Sequence, residues 1–302
     1  MNQSNVAKLY NHVHDEAVDV AIVLITLNEE HNLQGLFDNV AGWAREVFVV
    51  DSFSKDRTVT LALENGAHVV QHEFKGFGDQ WNFAIDNLPI SAAWTLKLDP
   101  DERLSDQLKM SIGKVLGTTS HNGFTMDRHL WFMGKRMPVR QKITRMWRTG
   151  YCRFSDVDVN EHPVIEGSIQ HLSGRLEHLD SPNLEHWYEK QNRYTSAEAK
   201  MMYCGEGLSA VPRLLGNKLE RRMWLKKNFY RLPLRYRLLF VYNYLVLGAW
   251  RAGYIGYIWA RLRSDVMRSV EYKKMEMEKC GPYPAQRYYG AGSPDPALES
   301  RE

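Results

Sequence analysis

The first hundred residues alternate short, uniformly apolar runs with segments whose apolar positions recur at helical spacing. Val20-Ala-Ile-Val-Leu-Ile25 has no polar position and reads as a buried strand, and Leu33, Leu36, Phe37 and Val40 then repeat at the spacing of one helix face. Val47-Phe-Val-Val50 is a second strand, followed by a helix that opens near Asp56 and is stopped by Asn65-Gly66. Ala67-His-Val-Val70 is a third strand. After a helix through Trp81 to Leu88, Trp94-Thr-Leu-Lys-Leu98 forms a fourth. Strands alternating with helices in this way predict βαβ units and an α/β domain whose mostly parallel, Rossmann-like sheet is flanked by helices.

Beyond about residue 205 the pattern changes. Between Arg213 and Arg237 nine Lys or Arg face a single acid, Glu220, and Leu238 to Trp250 is an uncharged apolar and aromatic run. Arg251 interrupts it before Ala252 to Ala260, so neither half reaches the roughly 20 apolar residues of a membrane-spanning helix. The expectation is a helical, membrane-associating extension whose basic residues meet anionic lipid while Trp and Tyr settle at the headgroups. Helices buried in an ordinary bundle are the competing reading. Residues after Lys279 are rich in Gly and Pro and read as a flexible tail. The chain thus divides into a polar N-terminus (1–17), the α/β domain (18–204), the basic and aromatic helical region (205–279) and the tail (280–302).

Composition narrows this little. At 302 residues, one large domain with an appendage or two domains both fit, and 44% hydrophobic with 25% charged residues is ordinary for a globular protein. A net charge of +3 calls for no nucleic-acid partner. Cys152, Cys204 and Cys280 are widely spaced and form no Cys-x-x-Cys pair, which points to a reducing compartment and no structural zinc. The stretch from Met1 to Asp19 lacks the apolar core of a secretory signal, so the expected location is cytoplasmic, peripheral on the inner face of the plasma membrane.

In open α/β sheets ligands bind beyond the carboxyl ends of the strands. The residues there are Thr26-Leu-Asn-Glu-Glu30, Asp51-Ser-Phe-Ser-Lys-Asp56 and Asp99-Pro-Asp-Glu102, all polar or acidic. Two carboxylates one residue apart at a strand mouth suit Mg2+ or Mn2+, hard cations that take oxygen ligands and share them with substrate phosphates. Capped turns are the competing reading: Ser105 with the acids before it could begin a helix, as could Asn28 to Glu30, and Asp51-Ser52 could cap a turn. Gly78 with Gln80-Trp-Asn82 adds polar groups ahead of a helix.

Four ordered motifs, Ile25-Thr-Leu-Asn-Glu-Glu30, Val50-Asp-Ser-Phe-Ser-Lys-Asp-Arg-Thr58, Phe77-Gly-Asp-Gln-Trp-Asn82 and Leu98-Asp-Pro-Asp-Glu102, resemble those of the family 2 glycosyltransferases of the GT-A fold. The likeness covers about residues 18 to 180, and the subgroup it looks most like adds sugars to bacterial lipopolysaccharide core. It implies an inverting transferase that moves a sugar from a nucleotide-diphosphate donor, a UDP-sugar first among them, to a saccharide or lipid-linked acceptor. Thr26, Asn28, Glu29, Asp51, Asn82 and Asp99 would face the nucleotide sugar, with Asp99 and Asp101 handling metal and diphosphate. The resemblance maps Glu161, in Val159-Asn-Glu-His-Pro163, onto the catalytic base. Asn160 stands where the family carries a His, and His162 follows instead. His178 lies where related enzymes place a histidine near the metal, and a neutral imidazole can ligate manganese; a satisfied surface histidine is the blander reading.

Arg145 and Arg148 flank Met146-Trp147 and could clamp phosphate, although alternating arginines on a strand more simply face water. Trp187, Tyr188 and Tyr194 at helical spacing read as core. A nucleotidyltransferase is the nearest enzymatic rival, but such enzymes wrap triphosphate with a Gly-rich loop, and Thr26 to His31 has no glycine. A non-catalytic membrane-surface protein is the rival of another class.

Overall fold

The computed structural model describes residues 17–154, 162–205, 213–216 and 218–282. β1 (Val18–Thr26), β2 (Ala44–Asp51), β3 (His68–Gln71) and β4 (Trp94–Lys97) form four neighbouring parallel strands in the order β3-β2-β1-β4. β1 is apolar at successive positions because both of its faces are covered. Val20, Ile22 and Leu24 pack in one cluster with Leu33, Leu36, Phe37 and Val40 of α1 (Glu30–Val40), while Ala21 and Val23 pack in another with Trp81 and Ala84. Those last two belong to α3 (Phe77–Asn87), and α2 (Thr58–Glu64) lies between β2 and β3 in sequence. Asn65 and Gly66 end α2 as expected, the glycine at φ +76, a left-handed conformation that suits a residue without Cβ.

The register aligns the strand ends. Thr26 pairs with Asp51 and Asp51 with Gln71, so three polar side chains form one row across the carboxyl edge.

Beyond β4 the eight-stranded sheet continues through β5 (Glu102–Leu104), β6 (Gly123–Phe132), β7 (Lys135–Arg148) and β10 (Ile169–His178), in the order β4-β7-β6-β10-β5. β7 runs antiparallel to β4, with Leu96 opposite Met146, and β10 antiparallel to β5, with His178 opposite Glu102. Strands β8 (Cys152–Phe154) and β9 (Pro163–Ile165) make a separate antiparallel pair. The helix α4 (Asp106–Leu116) is capped by Ser105, whose Oγ accepts from the Leu108 amide at 3.3 Å and from the Arg175 amide of β10 at 2.9 Å.

The chain forms two compact units. The first holds the described residues up to His129 together with 140–179; the second holds 130–139 and the described residues from Asp180 on. In the second, α5 (Leu184–Tyr203) is capped by Asn183 and is followed by α6 (Lys218–Phe229), α7 (Arg235–Val241), a wider helical turn over Tyr242–Val246, a tight turn over Ala249–Ala252 and the long α8 (Tyr254–Cys280). Its core joins Phe132 and Met137 with Trp187, Ala249, Trp259 and Ala260. Of the three aromatics expected there, Trp187 is buried, whereas Tyr188 and Tyr194 are exposed. Among the described residues no helix is long and apolar enough to cross a membrane.

Candidate active site

Asp51 organises the first strand ends. Its fully buried carboxylate accepts four hydrogen bonds: from Thr26 Oγ1 at 3.0 Å, Ser54 Oγ at 2.5 Å, the Ser54 amide at 2.9 Å and Gln71 Nε2 at 3.0 Å. A carboxyl side chain at zero exposure needs such a set, since leaving its oxygens unsatisfied would cost several kcal/mol. The loops after β1 and β2 are laced to each other. The Asn28 amide donates to Ser54 Oγ and the Lys55 amide to Asn28 Oδ1, both at 2.8 Å, while the Glu30 amide donates to Asp56 and the Arg57 amide to Glu30. Asn28 and Phe53 both adopt positive φ, +55 and +58, a conformation disfavoured for side chains with a Cβ and held by this lacing.

Thr26, Asn28, Glu29 and Asp51 therefore share one edge. The Glu29 amide donates to Thr58 Oγ1 at 2.8 Å, and its carboxylate accepts from Asn32 at 2.8 Å. Asn82 is engaged differently: its side chain donates to the Phe154 carbonyl and accepts from the Phe154 amide, at 3.1 and 3.0 Å, tying α3 to β8.

The Asp99-Pro100-Asp101-Glu102 turn leaves β4 and closes on itself, with the Glu102 amide donating to the Asp99 carbonyl and the Asp99 amide to the Glu102 carboxylate. Arg145 enters this turn. Its guanidinium binds the Asp99 carboxylate and, at 2.6 Å, Glu102, while Arg128 lies 3.4 Å from Glu102 and 3.9 Å from Asp99. The expectation that Arg145 faces water is corrected: it is buried at 6% exposure, because β7 runs alongside β4 and the fully buried Glu102 requires a cation. Burial works against ionisation of both acids. At Asp99, whose side chain keeps 32% exposure, the fields of Arg145 and Lys97 outweigh burial and hold the carboxyl below its usual range. At Glu102 burial prevails over Arg145 and pushes the carboxyl up. For Arg145 burial pulls down, but its two acids outweigh that and raise it further above its already high value.

The other half of the turn faces β10. Asp101 accepts the Leu179 amide through its carbonyl at 2.8 Å, and its carboxylate lies 3.2 Å from His178 Nε2. Burial disfavours the imidazolium of His178, but Asp101 more than offsets it and raises the pKa. Arg103 fixes the turn from behind, donating at 2.7 Å to the carbonyls of Pro100 and Glu102 and to that of Asn32 in α1. Asp180 follows two residues after His178 on the same backbone. Asp101, His178 and Asp180 each offer a ligand atom, and these lie within 4.8 Å of one another. Asp99, expected among the ligands, stands outside this group with its carboxylate on Arg145.

Asp180 was not expected. Its only signal in the sequence is the spacing His178-Leu-Asp180. Arg145 stands out in the sequence beside Arg148 as a possible clamp, but neither its contact with the turn nor that of Arg128 is signalled, since both bridge strands far apart in the chain. Glu161 lies outside the described residues; His162 beside it is exposed.

Residues 21–157 match the sequence profile of glycosyl transferase family 2. They are a family 2 glycosyltransferase domain. The domain runs from β1 through β8, so the Asp51 edge, the Asp99–Glu102 turn and Arg145 are inside it, and His178 and Asp180 lie beyond. Two Rickettsia proteins described as uncharacterized glycosyltransferases are similar to the chain at 28% identity over 202 residues, 60% of this chain. The one from R. prowazekii is covered over 67% of its length and the one from R. conorii over 69%. Among solved structures, a mannosyltransferase from Pyrobaculum calidifontis in complex with GDP-Man and Mn2+ is 15% identical with a TM-score of 0.48, covering 86% of this chain and 88% of that one. S. aureus TarS 1–349 in complex with UDP is 14% identical with a TM-score of 0.42, covering 86% and 91%. The fold of the family 2 domain is GT-A-like, a parallel sheet flanked by helices with its acidic residues gathered at the carboxyl edge.

Proposed function

We propose that this chain transfers a sugar, with inversion, from a nucleoside-diphosphate sugar to a saccharide or lipid-linked acceptor in the synthesis of bacterial cell-surface polysaccharide or lipopolysaccharide, working at the inner face of the plasma membrane. The observation that carries the reading is the Asp101, His178 and Asp180 group beside the Asp99–Arg145 pair, at the strand ends of a family 2 domain. Two carboxylates with one imidazole fit Mn2+ and, with less help from the nitrogen, Mg2+. When bound, such a cation neutralises charge on the departing diphosphate.

The protein's own groups have separable tasks. Thr26, Asn28, Glu29 and Asp51 lie on the edge assigned to the nucleoside. Asp99, kept ionised by Arg145, is assigned to the donor, and Arg128 offers a further cation to its anionic end. Glu161 takes the proton from the acceptor hydroxyl, which attacks the anomeric carbon as the diphosphate leaves from the opposite face.

Incubation with UDP-sugars, each with Mn2+ or Mg2+, and detection of the glycosylated product by mass tests the reading. Asp101→Ala or a chelator should abolish turnover; activity indifferent to both would remove the metal from the scheme. Glu161→Gln should retain UDP binding by calorimetry and lose transfer, and loss of UDP binding instead would reassign that residue. Release of pyrophosphate from a nucleoside triphosphate would identify a nucleotidyltransferase.

A further inference from the structure

The helical segment from Arg235 to Leu247 has two apolar faces, and the fold uses one. Phe240, Tyr244 and Leu247, spaced by four and three, pack against the core of the second unit. Leu234, Leu238, Val241 and Leu245, spaced by four, three and four, form a second stripe, and all four are exposed. In α7 itself no residue is buried, although four of its seven are Leu, Leu, Phe and Val. The outer face of a surface helix is ordinarily polar. Just beyond, Val246 is exposed at 69%, and the turn between Gly248 and Gly253, both at positive φ, presents Trp250 and then Tyr254 at 50% and 76%.

Along the chain the charge flanking this stripe has one sign. From Arg221 to Ser264 there are ten Lys or Arg and no Asp or Glu. Arg235 is held by Glu271 in a bidentate pair and serves the fold. Arg231, Arg237, Arg251 and Arg261 are exposed, and Arg251 lies over the Trp250 ring at 5.3 Å from its centroid. An apolar stripe with a Trp and a Tyr at one end, flanked by exposed arginines, complements a surface of fatty-acyl chains beneath negatively charged headgroups. The acids that meet these cations from α8, Glu271 and Asp265, are engaged by Arg235 and by Arg261 and Arg268, and Arg231, Arg237 and Arg251 leave the exposed balance cationic.

We infer that the stripe from Leu234 to Leu245, with Val246, Trp250 and Tyr254, inserts shallowly into an anionic phospholipid surface, and that Arg231, Arg237 and Arg251 contact its phosphates. The inference deepens the proposed function, on which it rests for its biological sense, by naming the part of the surface that meets the bilayer.

The test is flotation of the full chain with vesicles of phosphatidylcholine alone or with phosphatidylglycerol. The protein should float with the anionic vesicles, release as salt rises to about 0.5 M, where the Debye length shrinks to a few ångström, and stay behind with neutral ones. The double variant Leu238→Glu/Val246→Glu should partition about tenfold less or weaker still, and Arg237→Glu/Arg251→Glu should flatten the salt dependence. A vesicle-dependent blue shift of tryptophan emission should disappear in Trp250→Phe. Thermal melts matching the parent protein establish that the variants are folded. Equal binding to neutral vesicles, or flotation of the Leu238/Val246 variant as strong as that of the parent, overturns the inference. So does a parent dimer without flotation that becomes a monomer in that variant, which would make the stripe a contact between two copies. Calorimetry with UDP separates this from the catalytic reading: nucleotide binding without flotation sinks the stripe alone, and flotation without nucleotide binding sinks the catalytic reading alone.

Discussion

At Arg145 a single guanidinium serves two carboxylates, one accessible and one at zero exposure. Removing it leaves Glu102 buried without its closest cation, a change that ordinarily costs about 3–5 kcal/mol. Arg145→Met should therefore lower the unfolding free energy by an amount in that range, read from urea denaturation, and adding Glu102→Gln should return part of the loss, because the remaining group is neutral. If the single variant melts like the parent, the pair is not a structural one. Cys152 offers a chemical check on the same region. Burial pushes its thiol up to about 12, with Lys97 and Arg153 pulling weakly the other way, and its exposure is 4%, whereas Cys204 and Cys280 are exposed. Native iodoacetamide treatment at pH 8 should add two carbamidomethyl groups by mass, on Cys204 and Cys280, and a third only after denaturation. Modification of Cys152 in the folded protein would mean that β8 opens.

Elements decide which of these residues meet. The strand β1 and the Val47–Val50 run of β2 are legible because burial on both faces removes polar positions, and the register that follows places Thr26, Asp51 and Gln71 in one row. The long antiparallel strands were not legible, since Arg128, Arg140 and Lys142 break the apolar pattern of β6 and β7. Of these, Arg128 joins Arg145 at the buried turn, so one of the residues that hides β6 is also one that the turn uses. β10 depends on a close approach. Gly174 sits at φ +111, and a Cβ there would lie 2.4 Å from the Leu108 amide nitrogen of α4, beside the Ser105 cap that accepts from Arg175. Gly174→Ala combines a strained φ with backbone overlap and should cost on the order of 3 kcal/mol, read by chemical denaturation. Since β10 also delivers His178 to Asp101, the variant should weaken Mn2+ binding at temperatures where it remains folded. An unchanged manganese affinity would show that the strand's end is held independently of its middle.

For the molecule as a whole, the metal group turns the question of ligand identity into one of stability. The sequence motif points to Asp99, because an Asp-x-Asp pair invites both carboxylates; the structure gives Asp99 to Arg145 and brings in Asp180, which no motif marks. A ligand that binds only the folded state adds about 2.7 kcal/mol at a hundredfold its Kd, a rise of roughly 4 °C in Tm for a chain of this size. Mn2+ should raise the parent's Tm by that amount and EDTA should reverse it. Asp101→Asn should abolish the rise. Asp180→Asn should reduce it strongly, since removing one of three protein ligands leaves an incomplete set. Asp99→Asn should do the reverse: it should lower the starting Tm by breaking half of the Arg145 clamp and yet keep most of the Mn2+ response. Loss of the response in Asp99→Asn, with Asp180→Asn indifferent, would mean that the Asp99 carboxylate leaves Arg145 for the metal, and the motif would then be the better guide to the loaded state than the geometry without it.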